Sequence, residues 1–120
     1  MPRSLVVKST SGPLEAERCN QAFTVAATAV AAGVDVSLWL TGESVWFAVE
    51  GRAPEMDLPH ASPMSDLLAA VIAGGTVTVC TQCARRRDVT ESDVLPGVRI
   101  AGAASFVEEV LAEGAQALVY

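Results

Sequence analysis

An α/β sandwich built on a five-stranded, mainly parallel sheet is the fold class this sequence predicts, and three observations carry the expectation. Short runs rich in Val, Leu, Ile and Thr alternate with longer stretches whose apolar residues recur every three or four positions, which is the rhythm of βα units. Glycines at 33, 74, 75 and 114 fall where each helical stretch must stop. The chain has 120 residues, 51% of them hydrophobic but only 5% aromatic, so residues 1–120 form a single domain whose core is mostly Ala, Val and Leu.

The elements follow in order. Leu5, Val6 and Val7 form a short buried strand, and 9–13 turn into the first helix. Ala16, Cys19, Phe23, Ala26 and Val30 lie on one helical face, which Gly33 terminates. A second strand spans 34–40, and Thr41-Gly42 leads to a short apolar helix around Val45, Trp46, Phe47 and Val49. Residues 51–62 form a long loop with Pro54, Pro59, Met56 and His60. Such loops often cover sites. Ser62 as N-cap with Pro63 at the first helical position starts the next helix, whose buried stripe is Leu67, Leu68, Val71 and Ile72. The third strand is 76–80, followed by a short helix 81–87 and a fourth strand 98–101. Ser105 with Glu108 reads as the capping box of the last helix, and 117–120 as the final strand. The leading topology is a flavodoxin-like three-layer sandwich with strand order 2-1-3-4-5.

Charge and composition exclude several classes of partner. Eight basic against fourteen acidic residues give a net charge of −6, which repels phosphate backbones, so no nucleic acid partner is expected. No apolar run approaches the ~20 residues that span a bilayer, and the start lacks a secretion signal. No membrane association and a cytoplasmic location are therefore expected. Three cysteines are too few for a disulfide framework.

VTVCTQCARRR, residues 77–87, carries the chemistry. Cys80 closes the third strand and precedes a helix, so unpaired N–H groups and the helix dipole favour its thiolate, and Arg85, Arg86 and Arg87 add positive charge nearby. Such a thiolate can accept a sulfane sulfur as a persulfide and pass it on. Cys83 either resolves an oxidised or persulfidated Cys80 or packs as a small hydrophobe. No metal is expected: collecting Cys19, Cys80, Cys83 and His60 around zinc would need an improbable convergence, since Cys19 belongs to the apolar stripe with Phe23. KSTSGP after the first strand superficially resembles an FMN phosphate loop. Pro13 removes a donor there, and Glu15 and Glu17 oppose an anion, so no cofactor is expected. Thr10, Ser11, Arg85 and His60 are left as candidate substrate contacts around Cys80, with His60 leaning over from the long loop. Trp39, Trp46 and Phe47 are expected in the core or at a subunit interface.

Four segments in this order resemble the DsrE/DsrF-like family of small sulfur-handling proteins: the first strand with its Ser/Thr-Gly turn, AAGVDVSLWLTGESVWFAVEG, DLLAAVIAGGTVTVCTQCARRRDV and VLPGVRIAGAASFVEEVLAEGAQALVY. The resemblance covers most of the chain. It implies a flavodoxin-like subunit of homotrimers or homohexamers, and a strand-end cysteine, here Cys80, that takes sulfur from a donor protein and hands it to an acceptor protein. Family members commonly have Arg-Gly after the cysteine helix, where this chain has Arg87-Asp88. Two other readings stay open: a binding or scaffold module without sulfur transfer, and a thiol–disulfide protein using both Cys80 and Cys83. The crowding of large apolar side chains at 45–49 also argues for subunit association.

Overall fold

In the computed structural model, which describes residues 3–53 and 56–120, the apolar runs become five strands. They are β1 (Ser4–Ser9), β2 (Asp35–Leu40), β3 (Thr76–Cys80), β4 (Val98–Ala101) and β5 (Ala115–Val119). The helices are α1 (Ala16–Ala31), α2 (Met64–Gly74), α3 (Thr81–Arg86) and α4 (Ala103–Val110), with 3-10 turns at Pro13–Glu15 and Gly42–Ala48. Every strand pair in the sheet is parallel.

Strand order corrects the expected 2-1-3-4-5: the sheet runs β4-β3-β2-β1-β5. From β1 to β4 the chain advances steadily in one direction, so the right-handed crossover rule puts α1, α2 and α3 on one face. The return across the sheet to β5 sends α4 to the other. Side chains bear this out. Val7, Val36, Leu38, Leu40, Val77 and Val79 point to the front, into a core shared with Cys19, Phe23, Ala26, Leu68, Val71 and Ala84. Trp39 points to the back, where Phe106 of α4 meets it edge-on at 5.4 Å.

Several boundaries also shift. Gly102, not a Ser105–Glu108 box, occupies the N-cap of α4, and Ser105 lies inside the helix. Pro63 itself is the N-cap of α2, with no side-chain cap from Ser62. The last strand begins two residues earlier than its apolar content suggests, because Ala115 and Gln116 continue the ladder with β1. Pro54 of the long loop lies outside the described residues. Val45, Phe47 and Ala48 are buried within the subunit's own core, Phe47 edge-on to Phe23 at 5.8 Å, while Trp46 and Val49 are partly buried against it. The large exposed apolar side chains include Val107 and Leu111 in and just after α4, and Leu118 and Val119 on β5.

Helix α4 is pinned by one carboxylate. Glu109 accepts hydrogen bonds from the Ser37 hydroxyl and from Trp39 Nε1 at 3.1 Å, and pairs with Arg99, whose Nε donates to Thr78. Partial burial pushes the Glu109 carboxyl up, but the bonds from Ser37, Trp39 and Arg99 and the guanidinium charge outweigh it and hold it below the usual carboxylate range. A depressed acid stabilises the fold above its unfolded value near ~4.3, and that contribution disappears as pH falls through the folded value. Glu109→Gln is therefore expected to flatten the acid limb of a stability-versus-pH curve measured by urea unfolding. An acid limb as steep as in the native chain would show that other groups set it.

Candidate functional site

The carboxyl ends of β3 and β4 are where neighbouring connections part, α3 leaving to the front and α4 to the back. In an open parallel sheet this switch point is where a crevice opens. Cys80 stands there, paired in register with Ala101 of β4. It is the last residue of β3 and also the N-cap of α3, with extended backbone (φ −65°, ψ 128°) and a half-buried side chain.

The local chemistry favours its anion. Partial burial pushes the Cys80 thiol up. Against this, the backbone N–H and the thiol of Cys83, the backbone N–H of Gln82 and the charge of Lys8 together hold it below the ordinary thiol range. Cys83 therefore sits close enough to serve as a hydrogen-bond partner to the Cys80 sulfur, and it packs its other side against the core. Cys19 is the opposite case. Burial pushes its thiol up despite contacts from Ser9 and Ser44, and its residue is completely enclosed. It is a core residue bridging α1, β1 and the 3-10 helix.

Lys8 escaped the reading of the sequence. It lies on β1, level with Trp39, on the back face shared with Cys80, and its Nζ rests 4.1 Å from the centre of the Phe106 ring. A lysine near the end of a strand is unremarkable as text; only the order β3-β2-β1 brings it toward the thiol. Lys8→Met is expected to move the pH midpoint of Cys80 alkylation upward, with Lys8→Arg restoring most of the shift. An unchanged midpoint would assign the lowered thiol to the α3 amides and the Cys83 thiol.

The other candidates divide by what they touch. Thr10 is exposed, and its Oγ1 donates to the Tyr120 carbonyl at 2.7 Å; Ser11 is buried, and its carbonyl accepts from the Ser44 hydroxyl. Both tie the β1 loop to its neighbours. That loop sits very close to the one after β2: a Cβ at Gly42, which has φ 54°, would lie 2.7 Å from the Thr10 carbonyl oxygen. His60 is exposed with φ 61°, in the turn before α2, with no hydrogen bond or ion pair holding it among the described residues. Arg87 does not face Cys80. Its Nε bonds Glu43 at 2.9 Å and Nη1 bonds the Cys83 carbonyl at 3.1 Å, closing the C-terminus of α3. Arg85 and Arg86 are exposed. Asp88, at the position where Arg-Gly would supply glycine, adopts φ 55°, a left-handed helix stop that aspartate tolerates better than most residues.

A back-face cavity of about 320 Å³, lined by Ser4, Asp35, Ser37, Thr76, Arg99 and Glu109, lies toward the amino ends of the strands. Arg99 and Glu109 there are already engaged with each other. No helix among the described residues is long and apolar enough to cross a membrane.

The sequence model of the DsrE/DsrF-like family matches residues 3–119. Among curated proteins, an uncharacterized protein of Methanocaldococcus jannaschii is 29% identical over 92 residues, covering 77% of this chain and 78% of its own. Another uncharacterized protein, from Methanopyrus kandleri, is 27% identical over 97 residues, with 81% and 78% covered. Among solved structures, the YchN protein from E. coli superposes with a TM-score of 0.81 at 17% identity over 100% of both chains. A protein of unknown function from Methanobacterium thermoautotrophicum gives 0.73 at 13% identity, again over 100% of both chains. At these identities the structural likeness establishes the five-stranded α/β fold.

Proposed function

This chain belongs to the DsrE/DsrF-like family, which suggests sulfur relay in general, and from that premise we propose that Cys80 carries the sulfur in transit as a persulfide. The observation that carries the reading is the placement of Cys80: half-buried at the β3/β4 switch point, with its thiol held below the ordinary range by the first α3 amides, Cys83 and Lys8. The Cys80 thiolate attacks the outer sulfur of a donor persulfide. The donor S–S bond breaks, the donor leaves as a thiolate with the electron pair, and Cys80 holds the sulfane sulfur. An acceptor thiolate then attacks that outer sulfur and releases the Cys80 thiolate, so the cycle needs no net oxidant. Donor and acceptor are proteins meeting the subunit in a reducing cytoplasm.

The proximity of Cys83 favours a second reading, dithiol–disulfide exchange between Cys80 and Cys83. Cys83→Ser separates the two, because the serine hydroxyl still donates to the Cys80 sulfur but cannot form a disulfide. After exposure to a sulfane donor, mass spectrometry is expected to find one added sulfur on Cys80 in both native and Cys83→Ser protein. Loss of turnover in Cys83→Ser would transfer the assignment to the dithiol mechanism.

Association as a homotrimer or homohexamer belongs to the same proposal. Its support is the apolar surface at Val107, Leu111, Leu118 and Val119, with Leu111 77% and Val119 63% exposed. Sedimentation at micromolar concentration should give three or six subunits; a monomer alone would overturn it.

A further inference from the structure

Three consecutive arginines close α3, and the structure puts them to different uses. Arg87 is spent on Glu43 and on the Cys83 carbonyl. Arg85 and Arg86 are exposed, and their guanidinium groups make neither ion pair nor hydrogen bond among the described residues. Elsewhere Arg99 is paired with Glu109, Arg52 lies over the Trp46 ring and Lys8 over Phe106. Arg3 and Arg18 stand apart, before β1 and in α1. Arg85, Arg86 and Arg87 set against Glu43 and Asp88 leave the end of α3 with a net charge of +1 on a chain whose total is −6.

Position gives the pair a use that the thiol itself does not need. At ~1.5 Å of rise per residue, Arg85 and Arg86 are roughly 8–9 Å along the helix from Cys80. Among the described residues neither guanidinium is bonded to the sulfur. A protein partner of ordinary interface size, roughly 800 Å² per side, reaches about 15 Å from its centre and would cover both arginines while its own thiol meets Cys80.

We propose that Arg85 and Arg86 are an electrostatic docking point for an acidic surface on the protein that exchanges sulfur with Cys80. The inference rests on the relay reading and adds the chemistry of the partner: carboxylates lying about 10 Å from its reactive thiol. Exposed, unpaired guanidinium groups steer such a surface and set its orientation, without needing to contribute to the low thiol value. A nucleic acid is disfavoured as the occupant because two uncommitted arginines do not offset a net charge of −6 against a continuous polyanion.

The test uses the full chain and three synthetic peptides, each with one cysteine carried as its mixed disulfide with thionitrobenzoate. The cysteine is flanked by glutamates, by glutamines or by lysines. The Cys80 thiolate attacks the peptide sulfur, the S–S bond breaks, and thionitrobenzoate leaves with the electron pair as a coloured anion. At low salt the acidic peptide is expected to react at least ~10-fold faster than the glutamine peptide, an advantage that high salt removes. The order should be acidic, neutral, basic. In the double variant Arg85→Gln with Arg86→Gln, the acidic-to-neutral ratio should fall to near one; being a ratio, it is insensitive to any common change in thiol reactivity. A ratio near one in the native chain, or one that survives the double substitution, overturns the docking proposal while leaving the relay reading intact. A glutamine peptide that reacts no faster with native protein than with Cys80→Ser removes both.

Discussion

Cys80→Ser is expected to reduce sulfur loading to background, the largest functional effect of any single substitution in this chain. The hydroxyl that replaces the thiol is slightly shorter but occupies the same N-cap, where serine is if anything favoured, so the fold should be retained. What disappears is the anion. The amides of Cys83 and Gln82, the Cys83 thiol and the charge of Lys8 favour a thiolate at the end of β3, and a serine hydroxyl does not ionise in the accessible pH range. Because the Cys80 value is depressed, native reactivity should set in at lower pH than for an ordinary thiol and then level off, whereas Cys80→Ser should show no titrating reactivity beyond that of Cys83. Labelling by a sulfane donor, followed by peptide mapping, decides the matter. Persistent sulfur addition in Cys80→Ser at the native rate would place the chemistry on Cys83. Cys19 offers no substitute, being enclosed in the core with its thiol pushed up by burial.

The largest expected loss of stability is at Trp39. Its side chain is buried on the back face against Phe106, and its indole N–H is donated to Glu109, so it is the anchor for the only helix found on that face among the described residues. Trp39→Ala should cost about 3–5 kcal/mol, a large part of the 5–15 kcal/mol that holds a domain of this size together. Trp39→Phe keeps one aromatic ring but loses the bond to Glu109 and part of the buried ring volume, and should cost about 2–3 kcal/mol. Urea unfolding monitored by circular dichroism gives both numbers. The loss has a functional signature too: Phe106 is the ring on which Lys8 rests, so freeing α4 in Trp39→Ala should let the Cys80 alkylation midpoint rise. A Trp39→Ala protein of native stability would mean that α4 is held by something other than this contact.

Much of the architecture was legible in the text because it is local. The period of Ala16, Cys19, Phe23 and Ala26 defines a helical face whatever lies opposite it, and β3 and β4 begin and end where their apolar runs do. The α4 cap was misread for an equally local reason: Ser105 and Glu108 have capping-box spacing, yet Gly102 already breaks the chain three residues earlier. Strand order was not legible. An apolar strand can sit beside any other, and only the packing of α1 against α2 on one face and α4 on the other selects β4-β3-β2-β1-β5.

The candidate site divides along the same line. By itself the sequence determined that a cysteine ends a strand and begins a helix, an adjacency that brings the Cys83 and Gln82 amides to the sulfur once 81–86 is helical. Tertiary structure alone decided that Lys8, seventy-two positions earlier, lends its charge while Arg87, only seven positions later, turns away to Glu43. The physical reason is that hydrogen bonds at a chain junction depend on neighbours in sequence, whereas Coulomb interactions depend on distance through space, which the strand order sets.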